Sequence, residues 1–208
     1  MEQPVSYVTF ENSNTILEWA AAYNNVELIN KAIISGATDY NRAMLASAES
    51  GHFGVVNRML RLGADNYNES ASNAAKNGHI DIVKTLIVNS ADDYDRIMGA
   101  AASNNHIEIV RLMLSLRASD YDHSMKMAAH DGHQRIIDLM LEYGATNYDS
   151  VMSTAASNGH EHIVNQMTEL IRKRRLARWG MMAGGIFTIF VLIFCTKDIF
   201  DTRQQTKL

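Results

Sequence analysis

The stretch at residues 63–89, GADNYNESASNAAKNGHIDIVKTLIVN, determines the architecture, because its main features return along the chain every 27 residues. It begins with Gly-Ala, continues with a Tyr-Asn pair and an alanine pair, and then has Gly-His followed shortly by Ile-Val. A fixed period of this length indicates a repeat protein in which each copy is one supersecondary unit.

Four separate features keep this period. The Gly-His pair occurs at Gly51-His52, Gly78-His79, Asn105-His106, Gly132-His133 and Gly159-His160, with Asn24-Asn25 as a degenerate first copy. The alanine pair occurs at Ala20-Ala21, Ser47-Ala48, Ala74-Ala75, Ala101-Ala102, Ala128-Ala129 and Ala155-Ala156. The tyrosines are Tyr40, Tyr67, Tyr94, Tyr121 and Tyr148, and the apolar pairs are Val55-Val56, Ile82-Val83, Ile109-Val110, Ile136-Ile137 and Ile163-Val164. Six units are therefore predicted, at residues 9–35, 36–62, 63–89, 90–116, 117–143 and 144–170.

Each unit is predicted to form two helices. The residue after the tyrosine position is Asn or Asp, which are favoured helix N-caps; these predicted caps are Asn14, Asn41, Asn68, Asp95, Asp122 and Asp149. The alanine pair and the methionines before it have the i, i+3, i+4 spacing of one apolar helix face. Glycine then ends the first helix, because it adopts positive φ without strain, and Gly36, Gly63 and Gly144 close the second helix.

Two helices this short cannot bury their apolar faces alone, so the copies are expected to stack into one continuous core. The first and last units are expected to be the caps of the stack, and their sequences are the least regular. The predicted fold is an all-α solenoid of six helix pairs, preceded by a short tail at residues 1–8.

The string Gly-Ala…Ala-Ala-x-x-Gly-His-x-x-Ile-Val-x-x-Met-Leu, clearest at Gly63–Val88 and Gly144–Met167, resembles the ankyrin repeat. An ankyrin unit has 33 residues, whereas this one has 27, and the six missing residues are those of the β-turn finger and the Thr-Pro-Leu-His tetrapeptide. The predicted helix pairs therefore lack β-hairpin fingers. Shortened repeats with Gly-Ala-x-x-Tyr-Asn are similar to ankyrin proteins of large DNA viruses.

The resemblance also implies a partner-binding surface. In ankyrin proteins the two variable residues between the alanine pair and Gly-His face the concave surface and contact a protein partner. The equivalent residues here are Glu49, Ser50, Lys76, Asn77, Ser103, Asn104, His130, Asp131, Ser157 and Asn158. The exposed first-helix positions Arg42, Glu69, Arg96 and His123 are expected to contribute to this surface.

The distribution of charge argues against nucleic acid as a partner. The net charge is −4, but residues 171–208 contain eight Lys/Arg and two Asp, and the remaining residues contain eleven basic and twenty-one acidic groups. The body therefore has a charge of −10 and repels phosphate, while the basic cluster lies beside an apolar segment. No nucleophile–base pair, phosphate-binding loop or paired carboxylates stand out, so neither catalysis nor a cofactor is expected.

Eighteen residues without a charge, Trp179 to Thr196, are predicted to form a transmembrane helix. At 1.5 Å per residue they span roughly 27 Å, which suits a thin bilayer such as that of the endoplasmic reticulum. Basic residues are concentrated in the preceding linker, 171–178, so the repeats are expected to face the cytosol. The tail at residues 197–208 would then lie across the membrane, and a buried core helix is the alternative for this segment.

Two features of this segment extend the membrane prediction. Gly180 and Gly184 have the spacing of a helix-dimer motif, although such pairs also occur as simple small-residue packing. Cys195 is a candidate for acylation or an inert thiol at the membrane edge.

Five of the eight histidines recur with the repeat, at His52, His79, His106, His133 and His160. Adjacent stacked helices lie roughly 8–10 Å apart, too far for neighbouring histidines to share a zinc ion at about 2.0–2.1 Å from each nitrogen. No metal site is therefore predicted, and the histidines are expected to order the inter-helix loops by hydrogen bonds. The tyrosines are expected to pack between helices, with a binding stripe as the alternative.

Two function classes follow from the sequence. The first is a non-enzymatic adaptor that is tethered to a membrane and recruits a protein partner. If the chain is viral, this membrane belongs to the host cell. The second is a structural or self-associating component of a virion or organelle envelope.

Overall fold

The computed structural model describes residues 10–177, and the regular structure in this range is entirely helical. The helices are α1 (Phe10–Ala22), α2 (Val26–Ile34), α3 (Tyr40–Glu49), α4 (Phe53–Arg61), α5 (Tyr67–Lys76), α6 (Ile80–Val88), α7 (Tyr94–Ala102), α8 (Ile107–Ser115), α9 (Tyr121–His130), α10 (Gln134–Glu142), α11 (Tyr148–Ser157) and α12 (161–177). Since the described range contains no strand, the all-α prediction is confirmed there.

The N-caps lie one residue before the tyrosine, not one residue after it as the sequence predicted. Asp39, Asp93, Asp120 and Asn147 each accept a hydrogen bond from the backbone N–H three residues later, over 3.0–3.3 Å. Asn66 holds the same position in its unit but instead donates from its side chain to the Asn41 carbonyl over 3.1 Å. In the first unit α1 begins at Phe10, so Asn14 lies inside a helix that starts earlier than predicted.

The predicted caps instead connect neighbouring units. Asp95 and Asp122 each accept two backbone N–H groups of the next unit's loop, at 2.6 and 2.8 Å, and Asn14 and Asn68 do so at 2.8 and 3.0 Å. Asn41 accepts one such bond, from the Asp65 N–H at 2.8 Å. We call these five side chains the bridging residues, because each satisfies backbone groups 24 or 25 residues further along the chain.

Two layers of helices result. The odd-numbered first helices lie side by side and approach one another closely, whereas the second helices of neighbouring units touch only slightly. The buried alanine pairs, such as Ala74 and Ala75, permit the close approach in the first layer. Since the first helices are closer together than the second helices, the stack curves with the first helices on its inner, concave side.

The core runs between the two layers through the whole stack. It contains methionines of the first helices, such as Met44 and Met98, and apolar pairs of the second helices, such as Ile82-Val83 and Ile109-Val110, which are fully or nearly fully buried. The tyrosines are half-buried and pack against this core, as predicted.

The last helix differs from the prediction. Residues 171–177, predicted as a linker, continue α12 without a break beyond the end of the sixth unit. Within residues 10–177 no helix combines the length and apolar composition needed to cross a bilayer. The predicted transmembrane segment 179–196, Gly180, Gly184, Cys195 and both chain tails lie outside the described residues.

Candidate protein-binding surface

The candidate residues lie where each first helix ends and turns into the second. Glu49 and Lys76 are the last residues of α3 and α5, and Ser50 and Asn77 are their C-caps. The glycine that follows has φ close to +80° at Gly51, Gly78, Gly132 and Gly159, as predicted for the end of these helices. Asn24 and Asn105 adopt the same conformation in the first and fourth units, because asparagine tolerates positive φ better than most residues do.

The repeated histidines hold these helix ends in place. Each Nε2 lies 2.9–3.2 Å from a carbonyl oxygen of the preceding unit, thirty residues back; these carbonyls belong to Ala22, Glu49, Lys76, Ser103 and His130. The histidines therefore connect neighbouring units, rather than only ordering their own loops as the sequence suggested. Four of the five anchored residues are predicted contact residues, so the backbone under that surface is fixed from unit to unit.

The same histidines lie against the loop glycines of the preceding unit. A Cβ atom added at Gly51 or Gly78 would lie 2.5 Å from Cε1 of the histidine in the following unit, and one at Gly132 would lie 2.8 Å away. At Gly159, after which no further unit is described, the space around a Cβ is open. Glycine in this loop thus provides both the positive φ and room for the neighbouring imidazole.

The candidate side chains divide into two groups. Asn77, Asn104 and Asn158 donate to carbonyls four residues earlier in their own helices, over 2.9–3.4 Å. Ser103 and Ser157 also bond to their own helices, at 2.9 and 3.0 Å. These five side chains satisfy open carbonyls at a helix end, a structural role that the sequence reasoning did not assign to them.

The remaining candidates present their polar groups to solvent. Glu49 and Lys76 are exposed, and within residues 10–177 their side chains form no hydrogen bond or ion pair. Nδ1 of His130 lies 2.8 Å from the carboxylate of Asp131, and both residues are exposed. Glu49, Ser50, Lys76 and the His130–Asp131 pair are therefore the part of the predicted surface with functional groups available to a partner.

Sequence reasoning missed an apolar row beside these residues. The first residue of each second helix is Val26, Phe53, Ile80 or Ile107 in the first four units, and the first two are well exposed. A cleft of about 670 Å³ lies between Phe53 and Ile80, and another of about 250 Å³ lies between Ile80 and Ile107. The signal in the sequence was the apolar residue that follows Asn25, His52, His79 and His106.

Two aromatic side chains extend the row in the first unit. Trp19 and Tyr23 stack with ring centroids 4.7 Å apart and are 52% and 66% exposed. They stand where the second unit has the smaller Ala46 and Ser50. Large exposed aromatic side chains are typical anchors of protein interfaces.

Ion pairs between exposed side chains occur on the first helix pairs of the stack. The ammonium of Lys31 lies 2.7 Å from Glu27 and holds the pKa of that carboxyl below its usual value. Arg42 lies 3.1 Å from Glu18, so this predicted contributor is paired within the molecule. No group of three potential metal ligands occurs in the described part of the chain.

Comparison with protein families identifies the repeat type. The family model described as ankyrin repeats (3 copies) matches residues 44–125 and, overlapping them, residues 71–150. No curated protein matches the chain. The matched range, 44–150, is 107 of the 208 residues, and it runs from α3 to the start of α11. The chain therefore belongs to the ankyrin-repeat family, whose repeats are protein–protein interaction modules and typically have no catalytic role.

Proposed function

We propose that this protein is a membrane-tethered adaptor that binds a soluble partner through the concave edge of its ankyrin repeats. The proposed tether is the apolar segment at residues 179–196, with the repeats facing the cytosol from the endoplasmic reticulum or another thin membrane. A source in a large DNA virus, with attachment to a host membrane, is part of the same proposal and rests on the short repeat form.

One observation carries the binding part of the proposal. The backbone at Glu49 and Lys76 is held by histidines of the next units, at 3.1 Å in both cases, while the two side chains remain exposed. A surface arranged in this way loses little backbone entropy when it binds. The exposed aromatic and apolar residues beside it, from Trp19 to Phe53, provide area that is favourable to bury.

Charge reversal tests the surface. Lys76→Glu and His130→Glu are expected to weaken capture of a partner by at least about tenfold when combined, since both lie on the proposed interface. Arg61→Glu is the matched control, because Arg61 is also exposed but lies at the far end of α4. Circular dichroism melts should be unchanged in all variants. Partner binding that survives the double reversal would rule out this surface.

Fractionation tests the tether. Cells expressing the full chain are compared with cells expressing residues 1–177, which retain the whole described length of α12. The proposal expects the full chain to resist carbonate extraction, its N-terminal tag to be digestible in intact membranes, and the shorter chain to be soluble. If carbonate releases the full chain, the apolar segment is buried within protein.

A self-associating envelope component is the alternative, and Gly180-x-x-x-Gly184 is the feature that favours it. Under this alternative the detergent-solubilised full chain forms dimers that are lost on Gly180→Leu and Gly184→Leu substitution. A chain that stays monomeric in detergent and binds a distinct soluble partner supports the adaptor.

A further inference from the structure

The end of the stack leaves one bridging position unused. Asp149 is the equivalent of Asp95 and Asp122, but up to residue 177 no further repeat loop follows to supply backbone N–H groups. Its exposed carboxylate lies beside residues 171–175 of α12 and forms no hydrogen bond or ion pair in the range 10–177. The surface at this bridging position therefore differs from that of the other units described.

Two adjoining clefts flank Asp149. The first, of about 370 Å³, is lined by Tyr148, Asp149, Ile171, Arg174 and Arg175. The second, of about 360 Å³, is lined by Asp149, Met152, Thr168, Ile171, Arg172 and Arg175. Asp149, Ile171 and Arg175 belong to both clefts, so one continuous depression combines guanidinium groups with apolar side chains.

Some of the basic side chains near this depression already have a partner within the protein, and others do not. Arg174 donates to the Thr146 carbonyl over 3.3 Å and lies 6.0 Å from the centre of the Tyr148 ring. Arg172 is paired with Glu169 at 2.9 Å. Arg175 lines both clefts and forms no hydrogen bond or ion pair with any residue from 10 to 177. Arg172, Arg174 and Arg175 line the depression together with one carboxylate, that of Asp149, which leaves two net positive charges.

We propose that this depression binds the headgroup of an anionic phospholipid, with Arg175 on the phosphate and Met152 and Ile171 beneath the glycerol and first acyl carbons. Guanidinium groups match phosphate oxygens in paired hydrogen bonds, and Arg172 and Arg174, which each line one of the two clefts, add charge that attracts the same group. The apolar side chains beside the cations favour a lipid over free phosphate.

The position of the depression along the chain agrees with this ligand. Trp179, where the apolar segment begins, lies four positions after Arg175, and even a fully extended chain of that length spans only about 14 Å. This inference rests on the membrane tether proposed above, because only a tethered chain is held at headgroup depth. The site would then fix how the repeat stack stands on the membrane.

The test uses the full chain in a non-ionic detergent, titrated with dioctanoyl phosphatidic acid by isothermal titration calorimetry. The double variant Arg172→Gln, Arg175→Gln is expected to bind roughly twenty-five-fold more weakly, about fivefold for each lost cation. Arg175→Lys keeps the charge but loses the paired donors, so it should also bind more weakly, whereas Asp149→Asn should bind more tightly. Arg61→Gln with Lys84→Gln removes two exposed cations elsewhere and should leave the affinity unchanged.

Three results would each overturn the proposal. Equal affinity for dioctanoyl phosphatidylcholine would exclude recognition of the anionic headgroup. Equal affinity for inorganic phosphate would indicate a plain anion site. An equal loss in the Arg61, Lys84 control would indicate diffuse attraction between charges.

Failure of the tether is detected separately. Short-chain lipid binding in detergent does not require that residues 179–196 cross a bilayer, whereas carbonate extraction of the wild-type chain reports on the tether alone. The Arg172, Arg175 double variant should resist extraction as the wild type does, since its apolar segment is intact.

Discussion

The glycine of each Gly-His loop shows how much one residue contributes to the joint between two units. Gly78 combines a φ of +80° with an imidazole of the next unit that leaves no room for a Cβ atom. Gly63, at the end of a second helix, has a φ of +100° but open space around it. A side chain at Gly63 would therefore cause backbone strain alone, whereas one at Gly78 would cause backbone strain and a steric clash with the neighbouring unit.

Alanine at these two positions should give different losses of stability. Gly63→Ala is expected to lower the free energy of unfolding by about 1–2 kcal/mol through backbone strain alone. Gly78→Ala should lower it by about 1 kcal/mol more, because the new Cβ displaces His106 from the Lys76 carbonyl. Urea unfolding measures both, and in a His106→Ala background the extra cost at Gly78 should disappear. Equal losses in the wild-type background would contradict this account.

Two buried serines are expected to respond in opposite ways to alanine. The Ser124 hydroxyl is fully buried and has no hydrogen-bond partner within the described range, whereas Ser47 donates to the Met44 carbonyl over 3.0 Å. Ser124→Ala should raise the free energy of unfolding by about 1 kcal/mol, since it removes an unsatisfied buried group. Ser47→Ala should lower it by about 0.5–1 kcal/mol. Thermal melts that move in the same direction for both would contradict the prediction.

At the scale of the helices, the bridging residues order the loops that connect neighbouring units. Each one lies in the first turns of a first helix and holds the loop that leads into the next first helix. A 27-residue unit can therefore order its connecting loops with a single side chain. The neutral Asn68 and the charged Asp122 each accept two backbone N–H groups of the next unit's loop. The bridge therefore requires an accepting oxygen but not a negative charge.

Removing one bridging oxygen should loosen a single loop. Asp122→Ala is expected to lower the free energy of unfolding by about 2–3 kcal/mol, because two backbone N–H groups lose their acceptor. Hydrogen exchange at the Thr146 and Asn147 amides should accelerate in this variant. Asp122→Asn is the matched control and should retain most of the protection, as Asn68 does in its own unit. Exchange rates at these amides that do not change in Asp122→Ala would show that the bond contributes nothing.

At the scale of the whole molecule, stability should be a sum over units and their interfaces. The contacts between units are interchangeable, since the bridging residue, glycine and histidine recur at the same positions. If residues 90–116 were removed, Asn68 would meet the loop at Ser119, and His133 would meet Gly78. The Asn68 side chain would thus again accept backbone N–H groups of a repeat loop, and the His133 imidazole would again lie against a loop residue of the preceding unit.

Deletion of residues 90–116 should therefore give a folded, shorter stack. Its urea m-value is expected to fall by roughly a sixth, in proportion to the surface that unfolding exposes, and its midpoint should also decrease. Deletion of residues 90–112 is the control, because it removes a similar length but breaks the 27-residue period. If both deletions unfold the protein, the units are not interchangeable.

Much of this architecture is readable from the sequence, because its determinants lie within one 27-residue window. The helix pairs, the positive-φ glycines and the packed tyrosines follow from periodicity and local conformational preference, and the structure has them where they were predicted. The position of the proposed partner-binding residues at the ends of the first helices follows for the same reason, whereas their binding of a partner stays a prediction. The membrane segment also rests on composition, and it stays a prediction.

The contacts between units could be identified only from the three-dimensional arrangement of the helices. Whether Asp95 caps its own helix or bridges to Ser119 depends on the rotation between neighbouring units, and the packing of the whole interface sets that rotation. The histidine bonds thirty residues back, the apolar row at Phe53 and Ile80, and the cleft under Arg175 arise in the same way. Local sequence thus determined the helices and their ends, and the packing between units determined which side chains remain free to bind.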